Sequence, residues 1–161
     1  MVDAAILNGK RIVAVDDEPD VLEVIVEGLP QCEITTANTY ESAKEIIRSG
    51  EFDLALLDIM GVKGFELLAE CRTRKLPAAM LTAHAIDLDS INRSVRRGAV
   101  SFLPKDELAR LPELLVEIFE SLGEEHAHWP KLFKRLGPFF KERLGIVWED
   151  IEKPPHPPYY Y

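Results

Sequence analysis

Five short, largely apolar runs of strand length recur along this 161-residue chain, with amphipathic segments between them. The first, third and fourth runs are almost entirely apolar, which is typical of parallel strands covered on both faces. The second is more polar, which suits the edge of a sheet. The five predicted strands are Arg11–Val15, Cys32–Thr36, Asp53–Leu57, Ala78–Leu81 and Ser101–Leu103.

The segments between these runs repeat apolar residues at helical spacing. Thr39 is expected to cap the second helix and Gly50 to end it, while Pro112 is tolerable only in a first helical turn. The helices are predicted from Pro19, after Thr39, over 64–74, over 87–97 and from Leu108 to Leu122. Strands alternating with helices through right-handed crossovers predict an α/β fold, a doubly wound five-stranded parallel sheet with helices on both faces.

Polar residues follow or end four of the predicted strands. Ligands of an open parallel sheet bind outside the carboxyl ends of its strands, so these residues are candidates for one site. Three carboxylates in one crevice repel one another unless they share a cation, and Mg²⁺ prefers such oxygen ligands. A lysine opposite them can neutralise the oxygens of a transferred phosphoryl group while a carboxylate attacks. The residues concerned are Asp16, Asp17, Asp58, Thr82 and Lys105.

Four sequence segments carry a resemblance to a known family. They are VDDEPD at Asp16 and Asp17, LLDIM at Asp58, LTA at Thr82 and GAVSFLPK at Lys105. In this order and spacing, residues 10–123 resemble a bacterial response-regulator receiver domain of two-component signalling, similar to the chemotaxis receiver. The resemblance implies a flavodoxin-like sheet with strand order 2-1-3-4-5.

The same resemblance implies a role for each matching residue. Asp58 would be the phosphoacceptor, and Phe102 would be the switch aromatic. Thr82 and Lys105 would contact the phosphoryl oxygens. Mg²⁺ would be held by Asp16, Asp17, Asp58 and the backbone carbonyl of Met60.

Two features depart from the family pattern. Asp58 is followed by IMGVKG, a loop about two residues shorter than usual and without the usual proline. Lys105 is followed by Asp106, where many relatives have a proline. We expect the Met60 ligand to be kept and the geometry of the loop to differ.

The resemblance implies a phosphorylation-dependent signalling switch rather than an enzyme, with self-catalysed transfer to Asp58 and autodephosphorylation only. A sensor histidine kinase or a phosphotransfer protein would supply the phosphoryl group, and a downstream protein would read the result. Two alternatives remain open: a degenerate receiver that acts as an interaction module, and a Mg²⁺-dependent phosphohydrolase. Such a hydrolase needs a general acid two residues after its nucleophile, and Met60 cannot serve as one.

A second region, residues 124–161, follows the predicted receiver domain of residues 1–123. Net charge is −9 overall, yet residues 129–145 hold five lysines and arginines against Glu142 alone. Apolar residues at helical spacing and the proline-rich KPPHPPYYY predict a helical, basic-aromatic extension and an extended tail. It can pack on its own receiver, contact a partner or a second subunit in a homodimer, or touch a membrane or nucleic acid. It is too short for a DNA-binding output domain.

The sequence contains no apolar run long enough for a membrane span and no basic region before its first apolar stretch, so we expect a cytoplasmic protein without a membrane span. Cys32 and Cys71 lack CxxC spacing, which favours reduced thiols.

Overall fold

The structure is a computed structural model that describes residues 4–83 and 88–122. In this part of the chain, five strands alternate with five α-helices. The strands are β1 (Arg11–Val15), β2 (Glu33–Ala37), β3 (Leu54–Asp58), β4 (Ala78–Thr82) and β5 (Ser101–Pro104). The helices are α1 (Pro19–Gly28), α2 (Tyr40–Ser49), α3 (Gly64–Thr73), α4 (Leu88–Arg96) and α5 (Leu111–Leu122), and short 3₁₀ helices span Ala4–Leu7 and Lys105–Arg110.

All strands pair in parallel, in the order β2-β1-β3-β4-β5. The predicted α/β fold, its strand order and its two helical layers are therefore confirmed. β2 lies at one edge, and three of its five residues are exposed, as its more polar sequence predicted. The order reverses between β1 and β3, so the crevice beside the ends of these two strands is the place where such sheets bind ligands.

The central strands β1, β3 and β4 form the core of the molecule. Every residue of β3 and β4 is buried, as are the last four residues of β1. Helices α1 and α5 contact each other, and so do α2 and α3. Cys71 is buried and Cys32 is half-buried, and both are free thiols. No helix within the described residues is long and apolar enough to cross a membrane.

Helix boundaries follow local capping chemistry. The Thr39 hydroxyl accepts a hydrogen bond from the Ser42 amide at 3.1 Å, which confirms the predicted cap of α2. The last helix differs from the prediction because it starts at Leu111, and residues Lys105–Arg110 form a 3₁₀ helix instead. Pro112 has no amide hydrogen to donate, so the α-helix begins just before it.

Candidate functional site

The parallel register brings the ends of four strands to one edge of the sheet. Asp16 follows β1, Asp58 and Thr82 are the last residues of β3 and β4, and Lys105 follows β5. Asp58 lies opposite Leu81, so Thr82 extends one residue further along the neighbouring strand. The residues at these four strand ends therefore lie along one edge of the sheet although they are far apart in sequence.

Lys105 is the centre of this group. Its Nζ lies 2.9 Å from Asp16 Oδ2 and 3.2 Å from Asp58 Oδ1. A third carboxylate, that of Glu18, lies 3.8 Å from the same nitrogen. Asp16 is fully buried and Asp58 is 4% exposed. One ammonium group thus holds two buried carboxylates close to each other.

Burial and charge shift the pKa of the two central groups. Burial, together with a smaller repulsion from Asp16, raises the pKa of Asp58 to about 6 against the opposing effect of the Lys105 ammonium. Burial alone would lower the pKa of Lys105, but its contacts with Asp16 and Asp58 outweigh burial and raise it overall. At neutral pH most Asp58 is ionised and Lys105 is charged, as a nucleophilic carboxylate beside a cation requires.

The donor atoms next to this pair fit a hard divalent cation. Carboxylate oxygens of Asp16, Asp17 and Glu18 lie within 4.8 Å of one another. Asp16 Oδ1 accepts a hydrogen bond from the Glu18 amide at 2.9 Å, whereas its buried Oδ2 has the Lys105 ion pair but no directed hydrogen bond. Oxygen donors of this kind suit Mg²⁺. Sequence reasoning missed Glu18, although the acidic run continues to it.

The loop of residues 59–63 after Asp58 approaches this group closely. Gly61 has a φ of +67°, and a Cβ at this position would lie 2.5 Å from Asp17 Oδ2. The Met60 carbonyl accepts a hydrogen bond from the Val62 amide at 2.6 Å. A carbonyl has two lone pairs, so one remains for a metal. The loop makes a tight turn, while its difference from the loops of relatives and the Met60 ligand stay predictions.

Thr82 and Phe102 occupy buried positions. Thr82 is 2% exposed, and its hydroxyl donates a long hydrogen bond of 3.5 Å to the Leu103 carbonyl. Phe102 is fully buried in the core, opposite Met80 in the register of β4 and β5. Contact of Thr82 with phosphoryl oxygens and a switching role for Phe102 stay predictions. The extension of residues 124–161 lies outside the described residues, and the predictions on it stay untested.

Comparison with known proteins agrees with this geometry. A family model described as the response regulator receiver domain matches residues 12–117. The two-component response regulator ARR18 of Arabidopsis thaliana is 38% identical over 103 residues, which are 60% of this chain and 16% of that protein. ARR10 of the same plant is 34% identical over 113 residues, or 66% of this chain and 20% of that protein. The chain thus spans a fifth or less of the length of these relatives.

Two solved structures show the same fold. The receiver domain of NtrX from Brucella abortus is 30% identical with a TM-score of 0.56, and the match covers 66% of this chain and 98% of that one. A receiver domain protein described as CheY-like, from Methanospirillum hungatei JF-1, is 26% identical with a TM-score of 0.59. That match covers 71% of this chain and 99% of the other.

Proposed function

Because this chain belongs to the response-regulator receiver family, we propose that it is a signalling switch that accepts a phosphoryl group on Asp58. The observation that supports this most is the pairing of one ammonium with two buried carboxylates, since Lys105 contacts both Asp16 and Asp58. Clustered carboxylates beside a lysine suit phosphoryl transfer, in which catalysis is mostly positioning and neutralisation of charge.

The chemistry follows from the atoms around Asp58. Lys105 contacts Oδ1, which leaves Oδ2 to attack phosphorus as the phosphorus–nitrogen bond of a phosphohistidine donor breaks. A sensor histidine kinase or a phosphotransfer protein is the donor that we propose. Magnesium, held by Asp16, Asp17, Asp58 and the Met60 carbonyl, would supply further neutralisation of the phosphoryl oxygens. The Glu18 carboxylate lies within 4.8 Å of those of Asp16 and Asp17, which is close enough for an additional ligand.

Transfer would change the contacts of the buried residues beside the site. The new phosphoryl group carries about −1.5 to −2 charge and attracts hydrogen-bond donors. Thr82 can turn its hydroxyl toward it because its present bond to the Leu103 carbonyl is long, at 3.5 Å. Phe102 can then repack near the end of β4, which would alter the surface that a downstream protein contacts.

Mass spectrometry after incubation with acetyl phosphate and Mg²⁺ tests this proposal. We expect one phosphoryl adduct on the full chain, lost in Asp58→Asn. Asp53→Asn is the matched control, because Asp53 lies just before the same strand and is exposed. An adduct that survives in Asp58→Asn, or the lack of any adduct on the wild-type protein, would contradict the proposal.

The two alternatives have less support. A phosphohydrolase needs an acid two residues after its nucleophile, and that position holds Met60, whose thioether has no proton to donate. Rapid turnover of varied phosphate esters would favour it nevertheless. A degenerate receiver would not need the acidic groups and Lys105 to meet, and in this chain they do.

A further inference from the structure

The shortened loop of residues 59–63 is anchored in the core at two of its five positions. Ile59 and Val62 are buried, whereas Met60 is the most exposed of the large apolar residues identified in the described part of the chain. Two positions of the loop, Gly61 and Lys63, have positive φ. Glycine adopts such a conformation readily, whereas the left-handed conformation of Lys63 costs free energy that its contacts must offset.

One side of the loop lies against the acidic group. The backbone of Gly61 packs so closely on the Asp17 carboxylate that a Cβ at Gly61 would overlap its oxygens. Gly64 follows the loop and leaves no room for a Cβ beside the Asp58 carbonyl. The position of the loop therefore decides where the Met60 carbonyl lies relative to Asp17.

The other side of the loop reaches helix α2. Lys63, in the left-handed conformation with φ 54° and ψ 54°, places its Nζ 5.0 Å from the centroid of the Tyr40 ring. Tyr40 is the first residue of α2, just after the Thr39 cap. The Lys44 ammonium also lies over this ring, at 5.5 Å, but it belongs to α2 itself. Lys63 is thus a cation–π link between the loop and α2.

We propose that the Lys63–Tyr40 contact is a positioning device for the magnesium site. This inference rests on the proposed function. Tyr40 would affect the affinity for the metal through the loop of residues 59–63, without touching the metal. A left-handed lysine is an unfavourable backbone state, and the ring contact offsets part of that cost in the folded protein. Without the contact, the loop populates other conformations, and metal binding must select the one that presents the Met60 carbonyl.

The size of the effect follows from the strength of an exposed cation–π contact. Such contacts contribute about 0.5–1 kcal/mol, and 1.4 kcal/mol is tenfold in a dissociation constant. Loss of the contact should therefore weaken Mg²⁺ binding by about two- to fivefold.

Isothermal titration calorimetry of the full chain with MgCl₂, without any phosphoryl donor, measures the dissociation constant of Mg²⁺ directly. We expect Lys63→Met to raise the dissociation constant by about two- to fivefold. Lys44→Met is the matched control, because it removes a cation from the same ring without touching the loop, and it should leave the constant unchanged. Lys63→Arg and Tyr40→Phe retain a cation and an aromatic ring, so both should bind as the wild type does, whereas Tyr40→Leu should resemble Lys63→Met.

Several outcomes would overturn the inference. One is equal affinity of Lys63→Met and Lys44→Met, and another is a loss in Lys63→Met that Lys63→Arg does not restore. A wild-type chain that binds no Mg²⁺ would overturn the proposed function as well. Wild-type binding with no change in Lys63→Met overturns this inference alone, so the two failures are distinguishable.

Discussion

Replacing Asp58 by asparagine should stabilise the metal-free protein. Burial and the neighbouring Asp16 raise the pKa of Asp58 from 3.8 to about 6, even though Lys105 opposes the shift. A shift of about two units corresponds to about 3 kcal/mol at 1.36 kcal/mol per unit. Asp58 is 4% exposed, so solvent screens little of this free energy. Asparagine has a similar shape and removes the charge.

The sign of the effect depends on pH. Because the pKa of Asp58 is higher in the folded than in the unfolded state, the protonated carboxyl favours folding. This contribution to the free energy of unfolding is fully present below about pH 3.8 and is lost as the pH rises through about 6. Asp58→Asn has no carboxyl group to ionise at this position, so it loses no stability from this source as the pH rises. We therefore expect equal stability of the two proteins near pH 4 and an advantage for Asp58→Asn of up to about 3 kcal/mol near pH 7.5.

Urea denaturation with a chelator present, repeated across this pH range, measures the difference in free energy of unfolding. Asp53→Asn, which removes an exposed carboxylate just before the same strand, is measured in parallel as the control. Saturating Mg²⁺ should reduce the difference in free energy of unfolding between the two proteins, because the wild type still has the Asp58 carboxylate as a metal ligand and the variant does not. A less stable Asp58→Asn at neutral pH, or a gap that does not depend on pH, would refute the repulsion that we infer around Asp58.

Three further predictions concern neighbouring residues. Gly61→Ala should lower the free energy of unfolding by about 1–2 kcal/mol because residue 61 has a φ of +67°. The new Cβ would also meet the Asp17 carboxylate, so Mg²⁺ should bind more weakly in calorimetry. Unchanged Mg²⁺ affinity would contradict this prediction. Lys105→Met should lower the free energy of unfolding, measured with urea, by about 3–5 kcal/mol, because a buried carboxylate loses its cation. The same variant should form no phosphoryl adduct with acetyl phosphate. A variant that is as stable as the wild type and still phosphorylated would refute this prediction. Phe102→Leu should leave phosphorylation of Asp58 intact, because Phe102 lies in the core. Phosphorylation should then change amide hydrogen exchange at β5 less than it does in the wild type. An equal change in the two proteins would exclude a switching role for Phe102.

Features with a local cause were predictable from the sequence. The apolar content of β1, β3 and β4 follows from burial on both faces, and it identified them as parallel strands. The Thr39 cap was predictable because it depends on residues three positions apart. The site was predicted as a group because the ends of parallel strands share one edge of the sheet. The strand order needed the family resemblance, since periodicity does not tell which strands are neighbours.

Other features depend on contacts between distant segments, and only the tertiary structure determines them. The ion pairs of Lys105 join residues separated by tens of positions, and their distances follow from how β5 lies in the sheet. The close approach of Gly61 to Asp17 and the contact of Lys63 with Tyr40 arise where the loop of residues 59–63 lies beside the end of β1 and the start of α2. Local patterns in a sequence report which face of an element is buried, whereas the distance between two loops is set by the packing of the whole sheet and its helices.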